Sequence, residues 1–181
     1  SAIESLELIE RMHAYDSVVP PAQVEETLRW VGTSLGIAGV PLLVEAGDID
    51  EIIETPATTR IPGTKPWVLG VAAHRGGLLP VFSGDVLFRQ KPYTGRVRDY
   101  SMVIKRPGLC FAMTLSHVQR DLRFPIEERV LDYPVDPDFA PFTLGGFMYN
   151  EQFLAVLDFD RLIADEELAN ASATRISTSR G

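Results

Sequence analysis

The sequence predicts an all-β protein, and three observations carry that prediction. From Trp30 onward, apolar residues come in short runs of strand length, separated by Gly, Pro, Asn and Asp. The densest runs, 67–73 and 78–82, are broken by Gly or Pro and fall well short of the roughly 18 apolar residues that a membrane-crossing helix needs. Helical spacing is confined to the two ends of the chain. The 181 residues, 45% hydrophobic and 23% charged, suffice for a packed core without staples and exclude disorder throughout. A single cysteine, Cys110, closes no internal bridge, so the default expectation is a cytoplasmic protein.

Taken in order, residues 3–13 place Ile3, Leu6, Ile9 and His13 near helical spacing, with Glu4, Glu7, Glu10 and Arg11 on the other faces. This is an acidic amphipathic helix, and residues 1–15 lack the uninterrupted apolar core of a signal peptide. Val19-Pro20-Pro21 stops it, because proline has no amide donor and pushes its predecessor out of the helical region. Residues 23–28 add a helical turn. Strands over 29–35 and 40–46 then flank a Gly36-Ile37-Ala38-Gly39 turn. Residues 47–53 read equally as strand or helical turn, and β-branched 58–61 is extended up to Pro62-Gly63.

Runs 67–74 and 78–82 flank Arg75-Gly76-Gly77, where adjacent glycines supply the positive φ of a tight hairpin. A second β block follows: 100–105, a Pro107-Gly108 turn, 109–116 and 118–124. A turn-rich stretch, 133–141, leads to 147–149 and 153–157 on either side of Asn150-Glu151. Asp158 is placed to cap a final helix over 161–169. The small polar residues 170–181 read as a frayed end. The organisation is therefore a leader over 1–28, a β domain over 29–164 and a polar tail over 165–181.

The net charge of −8 sits wholly in the first 60 residues, which hold eleven acidic and three basic side chains. An acidic chain repels phosphate backbones, which excludes nucleic acid as the natural partner. A basic group at Arg89, Lys91, Arg96, Arg98, Lys105 and Arg106 is interrupted by Asp85 and Asp99. It lacks interleaved aromatics and reads as a solvated loop and strand edge. Gly32-Thr33-Ser34-Leu35-Gly36 matches the Gly-x-Ser-x-Gly pattern, but that elbow requires a strand turning into a helix. Here a strand leads to a strand, and His13, His74 and His117 offer no distinct base, so a serine hydrolase through Ser34 is the remote alternative. Asp48, Asp50, Glu51 and Glu54 crowd carboxylates without the glycine that a calcium loop needs at its sixth position. Asp132, Asp136 and Asp138 sit among prolines as turn residues. No cysteine-histidine set fits zinc and no glycine-rich loop fits phosphate. The residues thus point to no cofactor, no metal and no catalysis, and to a module that works through its surfaces.

Residues 49–82 resemble the first half of the CheW-like adaptor domains of bacterial chemosensory systems. The likeness is carried by Ile49-Asp50-Glu51-Ile52, by Thr59-Arg60-Ile61-Pro62-Gly63 and above all by Trp67-Val68-Leu69-Gly70-Val71-Ala72-Ala73-His74-Arg75-Gly76-Gly77-Leu78-Leu79-Pro80-Val81. Residues 101–104 and 112–118, Phe142-Thr143-Leu144-Gly145-Gly146 and Phe153-Leu154-Ala155-Val156-Leu157-Asp158 resemble the second half, so the likeness spans 29–164. The acidic leader and Pro66-Trp67-Val68 resemble the PilI-type branch, the adaptors of type IV pilus twitching systems. Ala73 and His74 replace the usual Asn-Leu, Ser83 replaces Asp, and Ala112 and Ser116 stand for Gly and Asp. These changes lie in or beside turns and bear on partner choice rather than on the fold.

The resemblance implies two SH3-like five-stranded β-barrels around a shared core, with an N-terminal helix, a short C-terminal helix, and neither cofactor nor catalysis. It implies one surface for the regulatory domain of a CheA-type histidine kinase. It also implies a groove between the barrels for the cytoplasmic tip of a methyl-accepting chemoreceptor, with twitching motility as the output. Flagellar chemotaxis or another chemosensory pathway is the alternative. Ile49 and Val71 would line the groove, with Glu51 and Arg75 on its rim. The protein would be cytoplasmic, recruited to receptor arrays without inserting into the membrane itself.

Overall fold

Tight hairpins set the register of this protein. The computed structural model describes residues 28–89 and 100–165. Its strands are β1 (Arg29–Ile37), β2 (Val40–Glu45), β3 (Glu51–Glu54), β4 (Val68–His74), β5 (Gly77–Phe82), β6 (Tyr100–Arg106), β7 (Leu109–Leu115), β8 (Val118–Pro125), β9 (Thr143–Tyr149) and β10 (Gln152–Leu157). Two short helices, α1 (Gly84–Arg89) and α2 (Phe159–Ile163), follow β5 and β10. The β1–β2, β4–β5 and β9–β10 turns place both central residues at positive φ: Ala38-Gly39 at 51° and 79°, Arg75-Gly76 at 48° and 75°, and Asn150-Glu151 at 49° and 65°. That is the twist-matched geometry of two-residue hairpins. It corrects one expectation: the β4–β5 turn is built on Arg75-Gly76, while Gly77 is already the first strand residue, paired with His74.

The strands form two five-stranded sheets, β8-β1-β2-β10-β9 and β3-β6-β7-β5-β4. Neighbours are antiparallel except at β2/β10 and β5/β7. The two orders repeat each other strand for strand, and the repeat is visible in sequence once the topology is known. Leu69, Gly70, Leu79, Val81 and Leu87 recur as Leu144, Gly145, Leu154, Val156 and Leu162, each 75 residues on. The N-terminal hairpin β1–β2 joins the C-terminal strands, whereas β3 to β7 make the other sheet alone.

Period-two alternation explains the core. In β2, Leu42 and Val44 enter a core shared by both sheets while Leu43 enters an inner core of its own sheet. In β7, Phe111 and Met113 enter the shared core and Ala112 the second inner core. Successive side chains of a strand point to opposite faces, so central strands buried on both faces become nearly continuous apolar runs. Phe82 anchors the shared core, edge-on to Trp67 at 4.9 Å and stacked on Phe111 at 5.1 Å.

In each sheet, the chain leaving one edge strand is tied to the opposite edge strand. Thr59, beyond β3, exchanges two backbone hydrogen bonds of 2.8 and 2.9 Å with Val71 of β4. Val130, beyond β8, does the same with Gly146 of β9 at 2.9 and 2.8 Å. The extended reading of 58–61 is thereby given a partner. Both contacts rest on glycine. A β-carbon on Gly70, at φ 148°, would lie 2.4 Å from the Thr59 carbonyl oxygen, and one on Gly145, at φ 64°, would lie 2.7 Å from that of Val130.

Helix α1 has no counterpart in the sequence-based expectations. Ser83 Oγ accepts from the Val86 amide at 3.3 Å, Gly84 donates to Thr114 Oγ1 at 3.1 Å, and Arg89 pairs with Asp136 and Asp138 at 2.9 and 2.6 Å. Hydrogen bonds from Arg89 to Asp138 and then Asp136 raise its pKa above the usual arginine value. Ser83 occupies the position of Asp158 in the other half. There the expected cap is formed, with Asp158 Oδ1 accepting from the amides of Asp160 and Arg161 at 3.0 and 3.4 Å. Helix α2 runs over Phe159–Ile163, shorter than expected. The leader helix over 3–13 and residues 166–181 lie outside the described residues.

Alanine at three neighbouring glycines separates the constraints. Gly70→Ala meets backbone and is expected to cost about 3 kcal/mol or more. Gly76→Ala, with open space around it, is expected to pay only the left-handed strain, about 1 kcal/mol. Gly77→Ala, in strand geometry, is expected to be neutral or slightly stabilising. Urea unfolding of the three variants checks the ranking.

Candidate partner-binding site

Glu51 opens β3, at one edge of its sheet, and His74 and Arg75 end β4, at the other edge. Because the sheet curls far enough for Thr59 to reach Val71, these three side chains meet. Glu51 Oε1 is 2.6 Å from His74 Nε2, and Arg75 donates to Glu51 Oε2. The Glu51 side chain is 19% exposed and that of Arg75 71%, so the pair runs from a half-buried carboxylate to open solvent. Glu51 Oε1 is buried without an aligned hydrogen-bond donor. A half-buried carboxylate in that position is tolerated because the Arg75 guanidinium stands beside it.

Of the four expected site residues, the structure brings Glu51 and Arg75 into contact. Ile49 packs partly against the shared core, and Val71 is 8% exposed with its backbone tied to Thr59. His74, weighed in the sequence as a catalytic base and as a departure from the family pattern, proves to be the third member of the cluster. Its contact with Glu51 spans 23 residues and two strands, so no local pattern announces it. Beyond the turn, Leu78 is 72% exposed.

A cleft of about 390 Å³ opens where the two sheets meet, lined by Ile52, Tyr100, Ser116, His117, Val118 and Arg120. Ile52 is the next residue after Glu51, on the opposite face of β3. Only the family resemblance implied a groove between the halves; local patterns give no hint of these walls, which come from β3 and β6 on one side and from β8 and the β7–β8 turn on the other.

The other sequence candidates resolve differently. Ser34 lies in mid-β1, 8% exposed, with Leu43 opposite on β2 and Gln119 on β8. The strand continues to Ile37 and a hairpin, so the strand-to-helix elbow of a serine hydrolase is not formed here. The crowded carboxylates diverge: Asp48 takes Arg106 at 2.9 Å while Glu51 takes Arg75. Burial pushes the Asp48 pKa upward, with Arg106 opposing. Arg89 and Arg106 of the basic group are thus committed to carboxylates, and Lys91, Arg96 and Arg98 lie outside the described residues. Cys110, against the second inner core, has its thiol pKa raised first by burial, with Asp50 and Glu51 adding and Lys105 opposing.

The CheW-like domain family model matches residues 31–167, and the chain belongs to that family, a scaffold and adaptor class of chemosensory signalling. Protein PilI of Pseudomonas aeruginosa strain PAO1 is 39% identical over 135 residues, which cover 74% of this chain and 76% of that protein. The scaffolding protein TtCheW from Thermoanaerobacter tengcongensis shares the fold, with a TM-score of 0.65 and 14% identity over 76% of this chain and 94% of that one. The expected all-β class and CheW-like family are thereby established.

Two measurements follow from this geometry. A double-mutant cycle of Glu51→Ala and Arg75→Ala is expected to give a coupling of no more than about 1 kcal/mol, because the arginine end is solvated and screened. Cys110 is expected to react with iodoacetamide at pH 8 more slowly in the native protein than in urea, since burial withholds the thiolate.

Proposed function

We propose that this protein is a non-enzymatic adaptor that couples a methyl-accepting chemoreceptor to a CheA-type histidine kinase, in a PilI-type pathway that controls type IV pilus twitching. The likeness to PilI supports the pathway. The observation that carries the binding role is the pairing of Glu51 with Arg75 at the meeting of two sheet edges, one residue from the cleft wall at Ile52. The adaptor domain is residues 29–164, with 1–28 and 165–181 as appendages.

A helical receptor tip requires an apolar groove with a charged rim. Ile49 and Val71 contribute apolar surface to that groove in this reading. Glu51 and Arg75 form its rim, with Glu51 holding the guanidinium so that its remaining donors face outward toward a receptor carboxylate. The kinase regulatory domain takes a second surface, and receptor signals reach the kinase through the rigid core between the two sheets. No helix among the described residues is long and apolar enough to cross a membrane; in this reading recruitment to receptor arrays runs through the receptor contact itself.

Arg75→Glu tests the assignment. It sets like charges against Glu51 and the partner, and receptor-tip capture in pull-downs is expected to fall at least about tenfold if the contact is desolvated. The melting temperature is expected to move by no more than about 4 °C, because the side chain is exposed. Full retention of both receptor tip and kinase domain would remove Arg75 from the site.

A further inference from the structure

We propose that His74 is the positioning residue of the Glu51–Arg75 pair: by taking up a proton it draws on Glu51, adds a positive charge to the cluster and changes the grip of Arg75 on an acidic partner. The inference deepens the reading of Arg75 as a rim residue and rests on that reading only for the partner. Glu51 stands two residues before Ile53, and His74 two after Ala72. Both side chains therefore continue the face that lines the small inner core of their sheet. The carboxylate is divided between two partners, with Oε2 taking the Arg75 guanidinium and Oε1 lying 2.6 Å from His74 Nε2. Oε1 is buried and receives no aligned hydrogen bond. An imidazole lone pair is not stable at that distance from a carboxylate oxygen, so the geometry calls for a proton on Nε2. A neutral ring supplies it only as the Nε2–H tautomer, whereas an imidazolium always does.

The His74 side chain is 23% exposed, so solvent reaches it to exchange that proton. The other charged and titratable groups at this end of the sheet are Asp50 at the entry to β3, Lys105 of β6 and Cys110 of β7, and the thiol feels both of these charges and Glu51. Arg60 follows Thr59 on the segment tied to β4, while β5 opens with Gly77-Leu78 and adds no charge. Arg106, next after Lys105, is turned to Asp48. Within this set histidine is the side-chain type that changes charge between about pH 5 and pH 8. With a neutral ring, the Glu51 carboxylate and the Arg75 guanidinium cancel. With an imidazolium, two neighbouring cations share one carboxylate and repel each other, so Glu51 holds Arg75 less firmly and the rim gains attraction for an anionic partner. The repeat does not duplicate the cluster, because Tyr149 and Asn150 stand at the equivalent positions 75 residues on.

Nuclear magnetic resonance of the full chain labelled with nitrogen-15 reads the coupling without any partner. The His74 ring is assigned by its loss in His74→Gln, and the Arg75 Nε–H by its loss in Arg75→Lys. The expected result is a neutral ring protonated on Nε2 at about pH 8, and an Arg75 signal that moves in step with ring protonation down to about pH 5.5. In Glu51→Gln, which removes the shared charge, the Arg75 signal is expected to stop following the ring. A ring protonated on Nδ1 at about pH 8, or an Arg75 signal indifferent to the ring in the wild type, overturns the proposal. Pull-down of the receptor tip at about pH 6 and pH 8 gives the second readout. The ratio of capture at the lower to the higher pH is expected to be at least about threefold larger for wild type than for His74→Gln, whose amide donates to Glu51 but takes up no proton. Equal ratios overturn the proposal. If neither protein captures the tip while the spectra behave as expected, the receptor assignment falls and the control of Arg75 by His74 stands.

Discussion

Everything in this molecule depends on the six interior strands being buried on both faces. β1, β2, β10, β6, β7 and β5 each send side chains both into the core between the sheets and into their own sheet's inner core. In β10, Leu154 and Val156 face inward while Ala155 and Leu157 face the shared core. A slip of one residue would exchange the two sets, and large-to-small errors in such cores cost several kcal/mol each. Register is therefore specified by packing as well as by the hairpin turns.

The two halves repeat in topology but not in volume. Ala72 stands where the other half has Phe147, and Ala112 where it has Leu43. The inner core around Trp30, Phe124 and Phe147 is aromatic, with Phe124 and Phe147 stacked at 4.7 Å, while the one around Ala72, Leu79, Val81 and Val103 is small. A repeat that diverges in this way keeps one framework around two differently filled inner cores. The turns differ in the same sense: His74 and Arg75 reach Glu51, while the equivalent Tyr149 and Asn150 do not share that charge.

The candidate site is a consequence of how far one five-stranded sheet curls. Glu51 and Arg75 lie on opposite edges of one sheet and meet only because the chain after β3 is tied to β4 through Thr59 and Val71, over a glycine that leaves room for the carbonyl. The Glu51–Arg75 pair is thus linked to a backbone contact that carries no charge. The clasp of Arg89 with Asp136 and Asp138 plays the matching part behind it. It fixes α1 against the loop before β9, where Phe88 and Phe139 stack at 4.3 Å.

The sequence by itself determined the local elements and the family. Alternating apolar runs located the strands, Asp158 marked a helix start through its side-chain oxygen, and the mismatch of Ser34 with an elbow followed from the strand after it. Residues 49–82 carried enough of the family pattern to identify it. Helix α1 was missed because it is only six residues long and its anchor, Arg89 to Asp136, spans 47 residues. Arg75 at φ 48° was hidden by the two glycines that follow it, which look like the turn but supply only half of it. The placement of β1–β2 beside β10, the meeting of Glu51 with His74, and the cleft walled by Ile52 and Val118 were decided by tertiary structure alone. Each is a contact between residues far apart in the chain, and periodicity reports only on which face a residue lies, never on which distant strand will come to cover it.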